Sequence, residues 1–283
     1  MHTGQHGLFF VKNKISQTDF LNTLFKAINK LKVEIKTFQK KKIRSIILKD
    51  FFIVDTIHSE TDFLKTHQLH KVLVQPNMLM NTKPNWHNLE DYIASLNKKY
   101  KRRYKRAIKK FGEIQPRELD IETIQNQSKR LHELYKNVSD NAKFNTFVLP
   151  QNHFHSLKTH LKENFKVFGY YLNNELIGFY TLILNSNTLE TYFLGYDKEH
   201  QYQNQLYLNM LYDMAEFAIE NKLSSTVYAR TAMEIKSSVG AKPKEMIMYM
   251  KHTNNIANTL LSTVFSLMKP SQKWAERHPF KKH

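Results

Sequence analysis

The sequence predicts an α/β (α+β) protein in which mixed, mostly antiparallel central sheets are flanked by helices. Apolar residues recur at helical spacing in several segments, the first of which follows Ser16. Segments rich in β-branched and aromatic residues alternate with them, as at 44–54. Three such segments follow one another at 166–172, 175–184 and 188–196, joined by short Asn-containing turns. Because such turns suit tight hairpins, these three segments predict an antiparallel meander.

The composition indicates a globular chain. Its 283 residues are 41% hydrophobic and 24% charged, which suffices for the core of one large or two ordinary domains. No cysteine is present, so disulfide frameworks, thiol nucleophiles, zinc ribbons and iron–sulfur clusters are excluded. Because the chain also lacks an apolar signal segment after Met1, we expect a cytoplasmic protein.

The first part of the chain predicts helices and strands in turn. A capping box at Ser16 begins an amphipathic helix. Segments 44–54 and 71–80 predict strands, the second with a kink or an edge position at Pro76. The longest predicted helix covers 88–112, because one apolar stripe continues there for about six turns.

The second part predicts the element order β-αα-βββ-α-β-α-β. The helices and strands expected around the meander are helices at 121–138, 150–164, 203–221 and 231–239, and strands at 225–229 and 244–252. After residue 255 we expect an amphipathic helix that is too short and too polar to span a bilayer.

This element order resembles the GCN5-related N-acetyltransferase (GNAT) fold, and short segments resemble the FemAB-like, peptidoglycan-biosynthesis-type group of bacterial acyltransferases. These segments are DYIASL at 91–96 with KKYKRR at 98–103, KDF at 49–51, QPNM at 75–78 and RTAMEIKSSVGA at 230–241. The resemblance implies two tandem GNAT-like units. They are a degenerate N-terminal half at 1–112 that ends in a long basic helix and a C-terminal GNAT-like domain at 113–254, followed by an amphipathic basic tail at 255–283.

The resemblance also implies an activity, the transfer of an acyl or aminoacyl group from an activated donor to an amine. We expect direct attack by the amine, because no cysteine and no serine motif marks a covalent intermediate. GNATs that use acyl-CoA hold its pyrophosphate on a glycine-rich loop at a helix N-terminus, whereas the matching residues 198–205 contain no glycine. Acyl-CoA, an acyl carrier protein and aminoacyl-tRNA stay open as donors, and no tightly bound cofactor is expected.

Half of the net charge of +18 is concentrated in residues 98–110, where nine of thirteen residues are Lys or Arg and none is acidic. Such crowding costs stability unless an anionic partner screens it. We expect this segment to bind tRNA, the phosphopantetheine of a carrier protein or an anionic membrane surface. A merely solvated helix face is the alternative. The residues assigned to anion binding are Lys98, Lys101, Arg102, Arg103, Lys105 and Arg106.

Three residues of the third meander strand are candidates for catalysis. Glu190 and Tyr192 lie two apart and so share one face of the strand, and we expect Tyr196 on that face too. The resemblance implies that Glu190 or Tyr192 assists deprotonation of the amine and that Tyr196 protonates the leaving group. A hydrogen-bonded strand surface without catalysis is the alternative.

The next strand-to-helix junction supplies candidates for donor or acceptor binding. The resemblance places Arg230 where the GNAT sheet splays, so that it would orient the donor. The alternative is an ion pair between Arg230 and Glu234, which lie four apart. The residues assigned to donor or substrate binding are Arg230, Thr231, Glu234, Lys236 and Asn204.

Other chemistries have less support. His153, His155 and His160 form the one local group of histidines, and their spacing is not that of a metal site, so no metal is expected. The sequence also lacks a GxSxG elbow, a Walker loop and a dinucleotide fingerprint, which disfavours hydrolase, kinase and dehydrogenase functions.

Two functions compete with acyl transfer. In the first, a catalytically degenerate scaffold binds RNA or tRNA through the basic helix. In the second, the tail helix, Trp274, Lys281 and Lys282 dock an enzyme at the anionic inner membrane surface. The oligomeric state is not predicted.

Overall fold

The computed structural model describes residues 6–141, 147–267 and 274–281. In this part of the chain the α-helices are Gln17–Gln39 (α1), Thr61–Thr66 (α2), Leu89–Ser95 (α3), Lys98–Phe111 (α4), Ile121–Asn126 (α5), Ser128–Ser139 (α6), His153–Leu161 (α7), Lys198–Gln203 (α8), Leu206–Glu220 (α9), Met233–Ser237 (α10) and Asn255–Leu267 (α11). The strands are Ser45–Phe52 (β1), His70–Asn81 (β2), Gln115–Glu118 (β3), Phe165–Leu172 (β4), Glu175–Asn185 (β5), Thr188–Tyr196 (β6), Ser225–Val227 (β7) and Lys242–His252 (β8). The predicted mixed class, with a mostly antiparallel sheet and flanking helices, is confirmed.

The chain forms two compact units, of which the larger comprises residues 78–243 and 274–281. Its strands lie in the order β2-β7-β6-β5-β4-β3, and only the end of β2 belongs to this unit. Strands β4, β5 and β6 pair antiparallel and confirm the predicted meander. Strands β6 and β7 pair in parallel.

Each face of this sheet carries its own hydrophobic core. Tyr180 of β5 packs on one face with residues of α3, α4 and α9. Its neighbour Phe179 packs on the other face with residues of α5, α6 and α7. The alternation of side chains along a strand explains this division. We call these the α9 face and the α6 face.

The smaller unit comprises the described residues 6–77 and 244–267. In its sheet β8 lies between β1 and β2, and β1 pairs antiparallel with β8. Helices α1 and α2 contribute Leu21, Phe25 and Phe63 to a core shared with these strands. The side chain of Ser16 accepts a hydrogen bond from the amide of Asp19 at 3.1 Å, which confirms the predicted N-cap of α1.

The predicted long helix at 88–112 is two helices, α3 and α4. Between them Leu96 is extended, and the Asn97 side chain accepts hydrogen bonds from the amides of Lys99 and Tyr100. An Asn in this conformation begins a new helix instead of continuing the old one. Likewise, the predicted helix at 121–138 is divided into α5 and α6. Helix α9 lies within the predicted 203–221, and the separate helix α8 precedes it.

The end of the chain packs on the larger unit. Trp274 and Phe280 lie against its core, and Phe280 contacts Trp86 and Tyr92. Trp274 is therefore not the exposed lipid anchor that the sequence suggested. The predicted tail also includes residues 268–273 and 282–283, which lie outside the described residues.

No helix in the described ranges combines the length and the apolar character that crossing a membrane requires. The boundaries at 112 and 254 stay a prediction, because compactness does not test whether each half repeats a common unit.

Candidate active site

A gap opens in the sheet of the larger unit where two parallel strands separate. Strands β6 and β7 pair over three residues each, and the last pair joins Glu190 to Val227. Strand β6 continues to Tyr196, whereas the chain after β7 keeps bonding to the other side, where the Tyr228 amide donates to the Met78 carbonyl at 2.8 Å. We call the gap beyond Glu190 the splay. Ligands of open α/β sheets bind at the carboxyl ends of such strands.

Glu190 lies at the start of the splay with only 1% of its surface exposed. Burial raises the pKa of its carboxyl group to about 7. A carboxylate with a pKa near the working pH can accept a proton and release it again, as a general base must.

Tyr192 follows Glu190 on the α6 face, where it meets a residue that the sequence did not assign to the site. The Tyr192 hydroxyl and Nε2 of His153 on α7 are 3.1 Å apart and share a hydrogen bond. Burial raises the pKa of Tyr192 to about 12 and lowers that of His153. Both groups are therefore neutral at pH 7. The two residues are 39 apart in the chain, and no local pattern connects them.

The prediction that Tyr196 shares the face of Glu190 and Tyr192 is wrong. A bulge interrupts the β5–β6 pairing, so that Tyr180 pairs with Leu194 while Leu182 pairs with Thr191. One extra residue on β6 reverses the alternation beyond it. Tyr196 therefore packs on the α9 face, whereas Tyr192 packs on the α6 face.

The turn after β7 has an unusual backbone. Ala229, Thr231 and Ala232 have φ angles of 57°, 65° and 47°. Residues other than glycine rarely adopt this region, and each costs about 1 kcal/mol or more. Such strained residues cluster at functional sites. Thr231 is exposed and Arg230 is half-buried, so that both line the surface of the turn.

The side chain of Lys236 stabilises this turn through hydrogen bonds. Its buried amine donates to the carbonyl of Arg230 at 2.7 Å and to that of Ala229 at 3.3 Å. Burial lowers the pKa of Lys236 to about 7. The geometry gives Lys236 a positioning role beneath the turn.

Glu234 has a different partner from the one that the sequence suggested. Its carboxylate binds the guanidinium of Arg277, and not that of Arg230. The hydrogen bond and charge of Arg277 hold the pKa of Glu234 below its usual value, and Arg103 of α4 adds to the effect. Glu234 therefore anchors the chain end beside the basic helix.

Side chains bond to backbone groups in the glycine-free loop before α9. The amide of Tyr207 donates to Oε1 of Gln201 at 3.0 Å. The side-chain amide of Asn209 donates to the carbonyls of Asn204 and Gln205 at 3.2 and 3.1 Å. One backbone amide that could otherwise contact a pyrophosphate, that of Tyr207, is thus already bonded within the protein.

Helix α4 borders this loop. The Asn204 side chain donates to the Lys110 carbonyl at 3.0 Å, and Asn209 reaches the Ala107 carbonyl at 3.3 Å. Asn204 is thus placed as a bridge between the loop and α4. Because Arg103, two turns earlier, acts on Glu234 of α10, the helix extends from this loop towards α10.

Most of the basic residues of α4 face solvent. The exposed ones are Lys98, Lys99, Arg102, Lys105, Arg106, Lys109 and Lys110, while Lys101 and Arg103 are half-buried. None of the nine forms a salt bridge with a carboxylate within the described ranges. Tyr100 is buried in the core, so it cannot stack on a nucleic-acid base. We call this surface the basic face.

Two histidines of α7 have hydrogen-bond partners within the protein. Within the ranges that the structure describes, no group of three or more His, Asp or Glu side chains could hold a metal ion. His153 instead bonds Tyr192, and His160 bonds the Ser156 carbonyl of its own helix at 2.7 Å.

Similar proteins agree with this architecture. The structure of FemX superposes with a TM-score of 0.56 at 12% identity, over 87% of this chain and 80% of FemX. The C-terminal domain of a putative lysylphosphatidylglycerol synthetase from Agrobacterium fabrum gives a TM-score of 0.51 at 7% identity, over 89% and 78%. A conserved protein of unknown function from Bacteroides thetaiotaomicron VPI-5482 gives 0.50 at 11%, over 80% and 75%. At these identities the likeness concerns the fold.

The sequence itself carries a family signature. Residues 98–237 match the family model of the acetyltransferase (GNAT) domain, from the first residue of α4 to the last residue of α10. No curated protein sequence matches the chain. The matched segment contains the meander, the splay and the basic face. Residues 98–237 therefore match a GNAT acetyltransferase domain, and the chain has the fold seen in FemX.

Proposed function

We propose that this protein transfers an acyl or aminoacyl group from an activated donor directly to an amine, at the splay between β6 and β7. The GNAT domain supports N-acyl transfer in general. The observation that carries the specific proposal is Glu190, a buried carboxyl group at the last β6–β7 pair whose pKa is raised to about 7.

Strand β6 carries the group that takes up the proton of the amine. On the α6 face, Glu190 takes a proton from the amine, whose nitrogen forms a bond to the acyl carbon. Tyr192, oriented by its hydrogen bond to His153, is placed beside it. The bond from the acyl carbon to the leaving group breaks, and the leaving group takes its proton from solvent, because Tyr196 lies on the other face and six residues farther along β6, about 20 Å from Glu190. Backbone amides of the splayed strand stabilise the oxyanion.

The turn after β7 would orient the donor. Arg230 and Thr231 lie on its surface, and Lys236 holds its carbonyls from the opposite side. Positioning of this kind lowers the barrier because the reacting atoms are held in an attack geometry. Glu234 serves indirectly, through the chain end that it binds.

The donor that fits best is one whose backbone carries a row of phosphates. In the loop that would hold one pyrophosphate the Tyr207 amide is already bonded to Gln201, whereas the exposed cations of the basic face lie on the helix that contacts this loop. A helix of 14 residues is about 21 Å long and can follow several phosphates of one backbone. This favours aminoacyl-tRNA over acyl-CoA, with an acyl carrier protein as the alternative. We place the reaction in the cytoplasm, as the cysteine-free composition suggests.

The test is a transfer assay with three donors. Alanyl-tRNA, an acetylated acyl carrier protein and acetyl-CoA are incubated in turn with the full chain and with lysine, ethanolamine or glucosamine. Mass spectrometry measures the amide product. We expect the amide to form from alanyl-tRNA. If none of the donors loses its acyl group faster with the protein than without it, the proposed activity is wrong.

The basic face predicts how donor binding responds to salt. The variant R102E/K105E/R106E is expected to bind tRNA more weakly and to lower the slope of log K against log salt by about 2 to 3, since each lost phosphate contact removes about one unit. Fluorescence anisotropy measures both quantities.

The matched control is K129E/K222E/K242E, which changes the net charge equally at exposed lysines outside α4. This control should retain most of the slope. An equal loss of slope in both variants would show that only the net charge matters.

A further inference from the structure

Helix α11 exposes an apolar stripe that no described residue covers. Ile256, Leu260 and Val264 lie on consecutive turns with 76%, 59% and 41% of their surfaces exposed. The helix carries no charged residue. A row of exposed aliphatic side chains at this spacing indicates a surface that is covered by a partner.

The orientation of the stripe is fixed by the opposite side of the helix. Asn258 is buried, its Oδ1 accepts from the amide of His252 at 2.8 Å, and its amide donates to the carbonyl of Gln68 at 3.1 Å. Helix α11 is therefore tied to the end of β8 and to the turn after α2, and it cannot rotate the stripe inward without breaking these bonds.

Basic residues lie beside the start of this helix. The amide and hydroxyl of Thr253 donate to the carbonyls of Arg44 and Ile43, both at 2.9 Å. These bonds bring the loop between α1 and β1 next to α11. The exposed cations of the loop are Lys40, Lys41, Lys42 and Arg44. Phe38, in the last turn of α1, adds an aromatic ring that is 80% exposed.

We propose that the stripe of α11 and the loop at 40–44 form one docking surface for an anionic lipid bilayer. An uncharged helix of 13 residues is too short to span a membrane but long enough to lie in its interface. The aliphatic stripe would enter the acyl region, while the neighbouring cations contact lipid phosphates. A nucleic acid would satisfy the cations but leave the stripe exposed, so the combination favours a lipid surface. The proposal does not rest on the transfer activity.

The test is co-sedimentation of the full chain with vesicles of phosphatidylcholine alone and of phosphatidylcholine with about one third phosphatidylglycerol. We expect at least tenfold stronger partitioning into the anionic vesicles. I256S/L260S/V264S should weaken this partitioning by tenfold or more. K41E/K42E/R44E should remove the preference for anionic lipid and its sensitivity to salt. Equal partitioning of the wild-type chain into both vesicles would overturn the proposal.

Two control variants test whether vesicle binding depends on this surface instead of on the total exposed apolar area or the net charge. I53S/V54S/I121S removes three exposed aliphatic residues elsewhere, and K129E/K222E/K242E changes the charge elsewhere. Both should partition like the wild-type chain, and weakening as large as in the α11 variant would contradict the proposal.

Light scattering tests whether the stripe is instead the contact between two copies of the chain. If the wild-type chain is a dimer, and I256S/L260S/V264S makes it monomeric while vesicle binding is unchanged, the proposal is overturned. Because binding is the readout, these outcomes are independent of the transfer assay.

Discussion

Replacing Glu190 with Gln is expected to lower the rate of acyl transfer by about 10²- to 10⁴-fold, which is the usual contribution of a positioned general base. The amide has the same shape as the carboxylate but cannot accept the proton of the amine. The measurement is the single-turnover rate with the donor that reacts in the transfer assay. The matched control is Glu175→Gln, which neutralises an exposed carboxylate of the same sheet and should leave the rate unchanged.

The pH dependence separates this role from a structural one. Since the pKa of Glu190 is about 7, kcat/KM of the wild-type chain should rise about tenfold per pH unit below pH 7 and level off above it. The residual activity of Glu190→Gln should lack this rise. A wild-type profile that is flat between pH 5.5 and 8 would remove Glu190 from the base role.

Stability gives an independent check, and its sign is set by burial. The carboxyl group has a higher pKa in the folded chain than its ordinary value, so the folded state loses stability as the pH rises from about 4.5 through about 7. Glu190→Gln cannot ionise, so its free energy of unfolding should lack this decline. At pH 8 the variant should therefore be at least as stable as the wild-type chain while it is far less active.

The sequence predicts the framework of the site because that framework depends on local patterns. Alternating apolar residues and Asn-containing turns locate β4, β5 and β6, and the change to helical spacing locates α9. The carboxylate of Glu190 follows from its position on β6. The sequence alone therefore predicts those residues whose position depends only on the order of the strands.

The rest of the site depends on contacts between distant segments. The bulge that moves Tyr196 to the α9 face leaves no clear mark in the sequence, since Phe193 and Leu194 fit either alternation. The bond between His153 and Tyr192 joins α7 to β6. Likewise, Arg277 displaces Arg230 as the partner of Glu234 from the far end of the chain.

The break between α3 and α4 has a local signal that the apolar stripe concealed. Asn97 is a strong N-cap residue, and its side chain competes with the helix for backbone amides. The extended end of the chain completes the break, because the Asn97 amide donates to the Pro279 carbonyl at 2.8 Å. Local preference and tertiary contact thus act together, and only the first can be read from the neighbouring residues.

The substitution Gly195→Ala is expected to destabilise the protein by about 3 kcal/mol or more, which would lower the unfolding midpoint by several degrees. On β6 a Cβ at Gly195 would overlap backbone atoms of Leu134 and Tyr135 in α6, and backbone cannot rotate away as a side chain can. Helix α6 would have to move off the strand that carries Glu190.

Gly178→Ala is the matched control, because its Cβ would meet the flexible end of the Met210 side chain at 3.1 Å. Thermal unfolding should show a change of about 1 kcal/mol or less for this control. Equal midpoints for the two variants would show that α6 does not lie directly on the strand.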